Sequence, residues 1–491
     1  MMITRRNLLA AAAMSVAAPA ILRHRAAWSA APRVRRNAST MAASDPFFSD
    51  YAQALEAMHG LPTSDQRNWR NQALIHIRHC THQVVDFTHW HRWYLSFFEQ
   101  ICGKLIGKPD FALAYWDWQE SNSKVPDSFF DVTQLDVAHW GDLSNEQSDN
   151  WGPDTVTTIG TRGIARDQTM VSIPRFSNSF KKNTLDSIRT QTEFEIFTGL
   201  LERQPHNNTH VAVGSFNNAK GHMGDGMSPL DPVFWLHHCN VDRFWAEWQA
   251  AGNVSSDPSS SYTDSFFDSE GKPVTDATST GAISLGSFDY VYDTLEPSVI
   301  ADISAKLELH NFDAGGGSLF SKLDLTSPTP IGKGASGGAA RVNIEKAVTV
   351  EVSDLIKTLS GVRVFRAPEA MGVPLKAVEP SRIIARIEGV VAPHNRDVVV
   401  GVFVNCPYLS PETPSDDLHC AGVFSFFGPG GAHAAHGENV YIDLSETIRT
   451  LAGQGRLAGN GFKAQLMVVP VAGDVPADTN VDFGGITILS A

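Results

Sequence analysis

The sequence predicts two domains of different class: a mainly α domain with long loops over residues 45–300, and an all-β, sandwich-like domain over 341–491. Three observations carry this. Apolar residues in the N-terminal half recur at the three-to-four spacing of amphipathic helices. From Arg341 the pattern changes to short alternating runs separated by turn signals. Between the two, glycine clusters at Gly315–Gly317 and Gly332–Gly338 mark a flexible linker over 301–340. A chain of 491 residues suits two or three domains. Its net charge of −14 argues against nucleic acid as the main partner. Apart from a weak N-terminal run, no apolar stretch is long enough to span a bilayer, so no membrane partner is expected.

Residues 1–31 carry a targeting pattern. Arg5-Arg6 precedes an Ala-rich apolar stretch from Leu8 to Leu22, and small residues follow around Ala27 to Ala31. This is the layout of a twin-arginine export signal, which sends folded, cofactor-loaded proteins to the periplasm or beyond. Phe47 to His59 reads as a helix stopped by Gly60-Leu61-Pro62, and Trp69 to Ile77 as a second. Thr88 is placed to cap a third, running from about His89 to Leu105. Residues 117–191 are mostly loop, Thr192 to Leu201 is helical, and Pro205 opens another helix. Phe288–Asp293 reads as a strand closing the domain. In the C-terminal half, strands are expected at Val348–Val352, Arg382–Val390, Asp397–Val404, Ala464–Val469 and Gly485–Leu489, with a helix near Leu444–Leu451. Five cysteines make no disulfide framework in a chain this long; Cys406 and Cys420 are left as a pair that export could oxidise.

The chain is organised around Ser228–Trp245, a bulky apolar helix capped by Asp231-Pro232 that points imidazole into its own core. His237 and His238 project about 100° apart, so one of them faces the chemistry. Asp242, one turn after His238, is placed to hold its ring. Other histidines join: His59, His82 and His91 form one trio, and His206, His210 and His238 another. His82 and His91 lie on opposite faces of any single straight helix, so the chain must turn between them. The pair His206–His210 has the i, i+4 spacing of a zinc hydrolase motif but lacks its glutamate. Two trios of neutral imidazole without a carboxylate suit a redox-capable, low-charge site, which points to paired copper.

These residues resemble the tyrosinase, catechol oxidase and haemocyanin family with binuclear type 3 copper. The likeness rests on His59-Gly60-Leu61-Pro62, Cys80-Thr81-His82, the run from Phe87 through Trp90-His91-Arg92 to Tyr94, His206 with His210, and Asp231-Pro232 through His237-His238 to Asp242-Arg243. It implies a four-helix bundle holding two copper ions, the first on His59, His82 and His91 and the second on His206, His210 and His238. His76, His79, His89, His222 and His237 match no ligand position. The Cys80-Thr81-His82 triplet matches the branch in which the cysteine forms a thioether with the histidine. Glu202 and Asn207 match the pair thought to hold the water that deprotonates a phenol, with Glu195 as the rival carboxylate.

The resemblance implies a copper- and O2-dependent enzyme that hydroxylates monophenols ortho to the hydroxyl and oxidises o-diphenols to o-quinones. The alternatives are a catechol or o-aminophenol oxidase without hydroxylase activity, and haemocyanin-like O2 binding. The runs Gly401–Asn405, Ala421–Phe424 and Asp443-Leu444 resemble, more loosely, the shielding domain of plant-type polyphenol oxidases. In those proteins a side chain plugs the substrate position. Phe424, Phe426 and Phe427, beside the turn Gly428-Pro429-Gly430-Gly431, are the candidate plugs. The implied partners are a small phenolic substrate, O2 and a maturation protease acting at the linker.

Overall fold

In a computed structural model the described residues are 32–82, 85–119, 123–140, 161–219, 221–295, 329–334, 340–343, 345, 347–352, 382–393, 397–427, 437–457, 461–471, 475–476 and 478–490. The expected signal peptide, most of the expected linker and the turn from Gly428 to Gly431 lie outside them. No described helix is long and apolar enough to cross a membrane.

The mainly α domain opens on strand β1 (Arg33–Arg35), followed by helices α1 (Pro46–Gly60), α2 (Trp69–His79) and α3 (Phe87–Leu105). Asp45 and Asn68 cap α1 and α2 through the backbone N–H groups of Phe47 and Arg70. Thr88 does not cap α3, contrary to expectation: the helix already runs from Phe87, and Thr88 is buried in its first turn. Helix α4 (Phe194–Leu201) continues through a π-helical turn, Glu202–His206, into α5 (Asn207–Gly214). Pro205 therefore sits inside a rod rather than opening one. A proline lacks the N–H that an α-helical turn needs, and widening the turn accommodates it. Helix α6 (Val233–Ala250) starts one residue later than expected, with the Asp231 carboxylate accepting the Val233 N–H at 3.0 Å. It is buried on all sides; only Glu247 and Ala250 are partly exposed. Strand β2 (Tyr290–Tyr292) pairs in parallel with β1, so the two ends of the domain meet.

Asp242 was expected to hold the His238 ring. It holds four other groups instead. Its carboxylate accepts from Arg92 Nε at 2.5 Å, Arg35 Nη1 at 3.3 Å, and the hydroxyls of Tyr290 at 2.5 Å and Tyr292 at 2.6 Å. Burial works against its charge, but the two guanidiniums and two hydroxyls outweigh it and keep Asp242 below the ordinary carboxylate range. Arg35 in turn reaches Glu99 at 2.9 Å. The network ties α6 to α3 and to the β1–β2 ribbon.

The C-terminal domain contains β3 (Thr329–Gly334), β4 (Ala340–Asn343), β5 (Val348–Val352), β6 (Ile383–Val390), β7 (Val398–Val404), β8 (Cys420–Ser425), β9 (Glu438–Asp443), helix α7 (Ser445–Gly453), β10 (Phe462–Pro470), β11 (Asn480–Phe483) and β12 (Gly485–Ser490). They form two four-stranded sheets, ordered β5-β10-β7-β8 and β3-β12-β6-β9, and a ribbon of β4 with β11. The expected linker is shorter than its glycines imply: residues 329–334 already pair with β12 as a sheet edge. Strand β7 is buried throughout, and its alternation explains why. Val398, Val400, Val402 and Val404 enter the sandwich core, while Val399 and Phe403 pack into the core of the helical domain. No disulfide joins any of the five cysteines, Cys406 and Cys420 included.

Asp242→Asn should therefore weaken the domain sharply, because two guanidiniums stay buried around a neutral partner. A loss of about 3–5 kcal/mol is expected from breaking such a pair. Glu270→Gln, at the exposed pair with Lys104, should leave the unfolding midpoint nearly unchanged, because solvent screens an exposed pair. Urea unfolding of the full chain compares the two, and equal midpoints would contradict the role given to Asp242.

Candidate metal centre

Five of the six histidines expected as ligands converge. His91 and His238, on α3 and α6, stack with ring centroids 4.3 Å apart and planes 10° from parallel. His82 lies 5.1 Å from His91 and 5.6 Å from His206. His206 lies 4.7 Å from His210, and the Nε2 atoms of His210 and His238 approach to 3.3 Å.

His59 does not join them. It sits in the last turn of α1, half-buried, with its ring stacked on Trp140 at 3.7 Å and against Trp69 at 5.6 Å. The place beside His82 and His91 is taken instead by His76, which the sequence reading set aside. His76 is fully buried on α2, 5.2 Å from His82, 5.8 Å from His91 and 6.4 Å from His238. The signal was present: Trp69, Ala73, His76 and Cys80 follow the three-to-four spacing of one helix face. His76 is therefore one turn before Cys80 on the buried face, whereas His59 precedes a Gly-Leu-Pro stop. His76, Cys80 and His82 present donor atoms within 4.8 Å of one another, as do His206, His210, His237 and His238. Of the other histidines set aside, His79 is exposed, His89 packs between Trp245 and Phe194, and His222 is buried in a short 3-10 turn. His237 is also in the cluster, wedged between Trp118 at 5.1 Å and His210 at 4.7 Å.

The donor atoms are prepared for metal. His76 Nδ1 meets the Gly226 carbonyl at 2.9 Å, His91 Nδ1 the Phe87 carbonyl at 2.8 Å, and His210 Nδ1 the Met223 carbonyl at 2.8 Å. His206 Nδ1 meets the Asn207 amide oxygen at 2.8 Å. Each bond places the ring proton on Nδ1 and the lone pair on Nε2. The Nε2 atoms of His76, His82, His91 and His206 are buried with no hydrogen-bond partner among the described residues. An unpaired buried polar atom costs about 1–3 kcal/mol, and a metal ion relieves several at once. Burial pushes His76 down to about 4 and His206 to about 3, against the help of their hydrogen bonds. Burial and neighbouring rings hold His82, His91, His210 and His238 well below the ordinary value. The six rings are neutral at pH 7, and this donor set fits a pair of copper ions.

Phe427 occupies the space in front of these rings. It stacks on His210 at 3.6 Å and 12°, and lies 5.3 Å from His82 and 5.9 Å from His206. Phe424 and Phe426 pack on each other at 5.8 Å inside the sandwich core, so neither reaches the site. The strand that delivers Phe427 is bonded to α5: Asn207 Nδ2 donates to the Ser425 carbonyl at 3.2 Å and Asn208 Nδ2 to the Val423 carbonyl at 2.8 Å. Glu202 is buried in the π-helical turn, and its charge, after burial, helps raise the Cys80 thiol. The rival carboxylate, Glu195, is exposed at the domain boundary and accepts the Tyr441 hydroxyl at 2.6 Å.

Comparison with known proteins bears on the family and the fold. Residues 50–251 match the common central domain of tyrosinase. The chloroplastic polyphenol oxidase of Spinacia oleracea is 31% identical over 250 residues, 44% of this chain and 39% of that one. The chloroplastic polyphenol oxidase of Malus domestica is 26% identical over 413 residues, 76% and 65% of the two chains. The chain spans about two-fifths of the length of the first curated relatives it matches. Among solved structures, latent apple tyrosinase covers 94% of this chain and 98% of its own, at 20% identity and TM-score 0.56. An octopus haemocyanin functional unit covers 92% and 99%, at 16% identity and TM-score 0.52. At these identities the structures establish a shared fold: a helical core with a C-terminal β-rich region.

Two predictions follow from the geometry. His76→Ala should leave one tightly held copper per chain, whereas His59→Ala should keep two; metal analysis after dialysis decides, and the opposite pattern would restore His59 as a ligand. The second concerns acid. A histidine whose folded value is depressed refuses protons that the unfolded chain accepts below about 6.5. Stability of the metal-free chain should be complete above that pH and fall towards pH 4, by up to about 1.4 kcal/mol per pH unit for each such ring. A flat urea midpoint between pH 7 and 4 would contradict it.

Proposed function

Because the chain belongs to the tyrosinase and polyphenol oxidase family, we propose that it is a tyrosinase: an exported, O2-dependent copper enzyme that hydroxylates monophenols and oxidises o-diphenols. The observation that carries the reading is the pair of touching imidazole trios, neutral, buried and free of carboxylate. His76, His82 and His91 would hold one copper and His206, His210 and His238 the other. Bound there, the copper pair supplies two-electron redox chemistry with O2. The remaining work falls to side chains. Backbone carbonyls keep the ring lone pairs aimed inward. The aromatic walls exclude water, and the face of His210 that Phe427 covers is where a phenol ring would stack. Glu202 is our choice for the base that takes the phenol proton, with Asn207 orienting the water between them. The short distance between Cys80, His76 and His82 supports a thioether from Cys80 to His82, which would stop that ring rotating.

The relatives include an aureusidin synthase and a larreatricin hydroxylase beside several polyphenol oxidases, so a catechol oxidase without hydroxylase activity is the second reading. Oxygen uptake by the copper-loaded full chain, with tyrosine and with its catechol analogue, separates the two. With Phe427 in place, uptake should be low; Phe427→Ala should raise catechol oxidation at least tenfold. Uptake with tyrosine should survive in Phe427→Ala and fall about 10²–10⁴-fold when Glu202→Gln is added. Catechol oxidation alone would establish the oxidase, and reversible O2 binding without turnover would establish a carrier.

A further inference from the structure

One ligand of each trio is held by the same short segment. The His210 ring is fixed by the Met223 carbonyl and the His76 ring by the Gly226 carbonyl, at 2.8 and 2.9 Å. His76 comes from α2 and His210 from α5. We propose that Gly221–Met227 is a single positioning element for both metal sites, so that the two copper ions are bound or lost together. The proposal rests on the dicopper reading and adds a coupling to it.

The segment is stiff. The Gly224 N–H donates to Gly221 O at 3.1 Å and the Asp225 N–H to His222 O at 3.0 Å, and the Asp225 carboxylate accepts the Met227 N–H at 2.7 Å. It is also pressed against the end of α5 backbone to backbone. The Gly221 N–H donates to Gly214 O at 2.8 Å. A Cβ added at Gly214 would lie 1.9 Å from Gly224 N, so here glycine is required by close approach rather than by backbone dihedral. Two carbonyls three residues apart on a braced turn cannot move independently. Displacing the turn withdraws the acceptor from both Nδ1 groups, frees both rings to change tautomer, and unaims one Nε2 in each trio. The residues of the segment act through His76 and His210 and are positioning residues only.

Gly214→Ala tests this directly, since the segment must shift to admit the methyl group. Asp225→Ala is the milder variant: it removes the brace on the turn and adds no atoms. Gly401→Ala, in β7, is the control for destabilisation alone; its Cβ would meet the Phe403 ring at 2.5 Å, in the other domain. Each metal-free full-length variant is titrated with copper(II) against a chromophoric chelator, beside its unfolding midpoint. Wild type and Gly401→Ala should take up two copper ions with equal affinities. Gly214→Ala and Asp225→Ala should bind both about 10–100-fold more weakly, the range expected for losing outer partners of metal ligands. If Gly214→Ala fails to fold, Asp225→Ala decides. Wild-type affinity for both ions in a folded variant overturns the proposal, and so does loss of one ion alone. Wild type binding no copper would instead overturn the dicopper reading beneath it.

Discussion

Everything at the centre depends on a buried ion pair one step removed from the histidines. Arg92 follows His91 on α3, and Asp242 lies one turn after His238 on α6. A charge buried at this depth is tolerated only beside its partner, so the pair sets how far α3 can slide along α6. That registry brings His91 and His238 face to face. Arg92 is itself over-determined: it donates to Gln249 and to the Ala282 carbonyl, and its guanidinium lies 3.6 Å from the Trp245 ring centre. The tyrosine hydroxyls of β2 and the guanidinium of Arg35 in β1 complete the shell around Asp242. The start and the end of the helical domain are thus pinned to the carboxylate that aligns its two central helices.

This use of Asp242 also determines the chemistry of the site. With its carboxylate committed to two arginines, the nearest acidic side chain on α6 adds no negative charge to the imidazole cluster. The six rings are left neutral by desolvation, each competing with its neighbours for protons. Metal binding to such a site displaces no proton at neutral pH. The cost falls on the metal-free fold, which buries several lone pairs with nothing to bind. The cost is lowered at His91, His76 and His210, where carbonyls on α3 and on the Met223–Gly226 turn satisfy the opposite nitrogen, and at His206, where the Asn207 amide does so. One unmet valence per imidazole is a smaller burden than two.

The sequence was legible where local spacing governs. Helix α6, the i, i+4 pair His206–His210 and the core strands follow from periodicity and turn chemistry. It was misleading where two local signals competed for one role. His59 stands in a motif, and His76 stands on a buried helical stripe; only packing against Trp140 shows that the first ring faces away from the site. Asp242 shows the same limit, because helical spacing places it below His238 but says nothing of Arg92, Arg35 or two tyrosines from distant elements. Three phenylalanines within four positions could not be ranked by sequence either. Strand alternation sends Phe424 into the sandwich core, and only the hydrogen bonds from α5 to β8 place the chain so that Phe427 reaches His210. The strand at 329–334 was hidden by its glycines, which serve a sheet edge there.

The same alternation makes the β domain more than a lid. In β7 and β8 one set of side chains builds the sandwich core, and the other, including Val399, Phe403 and Val423, is buried in the core of the helical domain. An ion pair from buried Arg203 to half-buried Glu438 and the contact of Tyr441 with Gly199 lie on the same boundary. Such an interface does not need the connecting chain to persist, since its apolar area and its desolvated charges hold whether or not the peptide between the domains is intact. Cutting that peptide therefore changes only the effective concentration of the β domain near the site. Withdrawal of Phe427 requires the interface itself to open. Access to the face of His210 that Phe427 covers is then set jointly by that side chain and by the stability of the boundary between the domains.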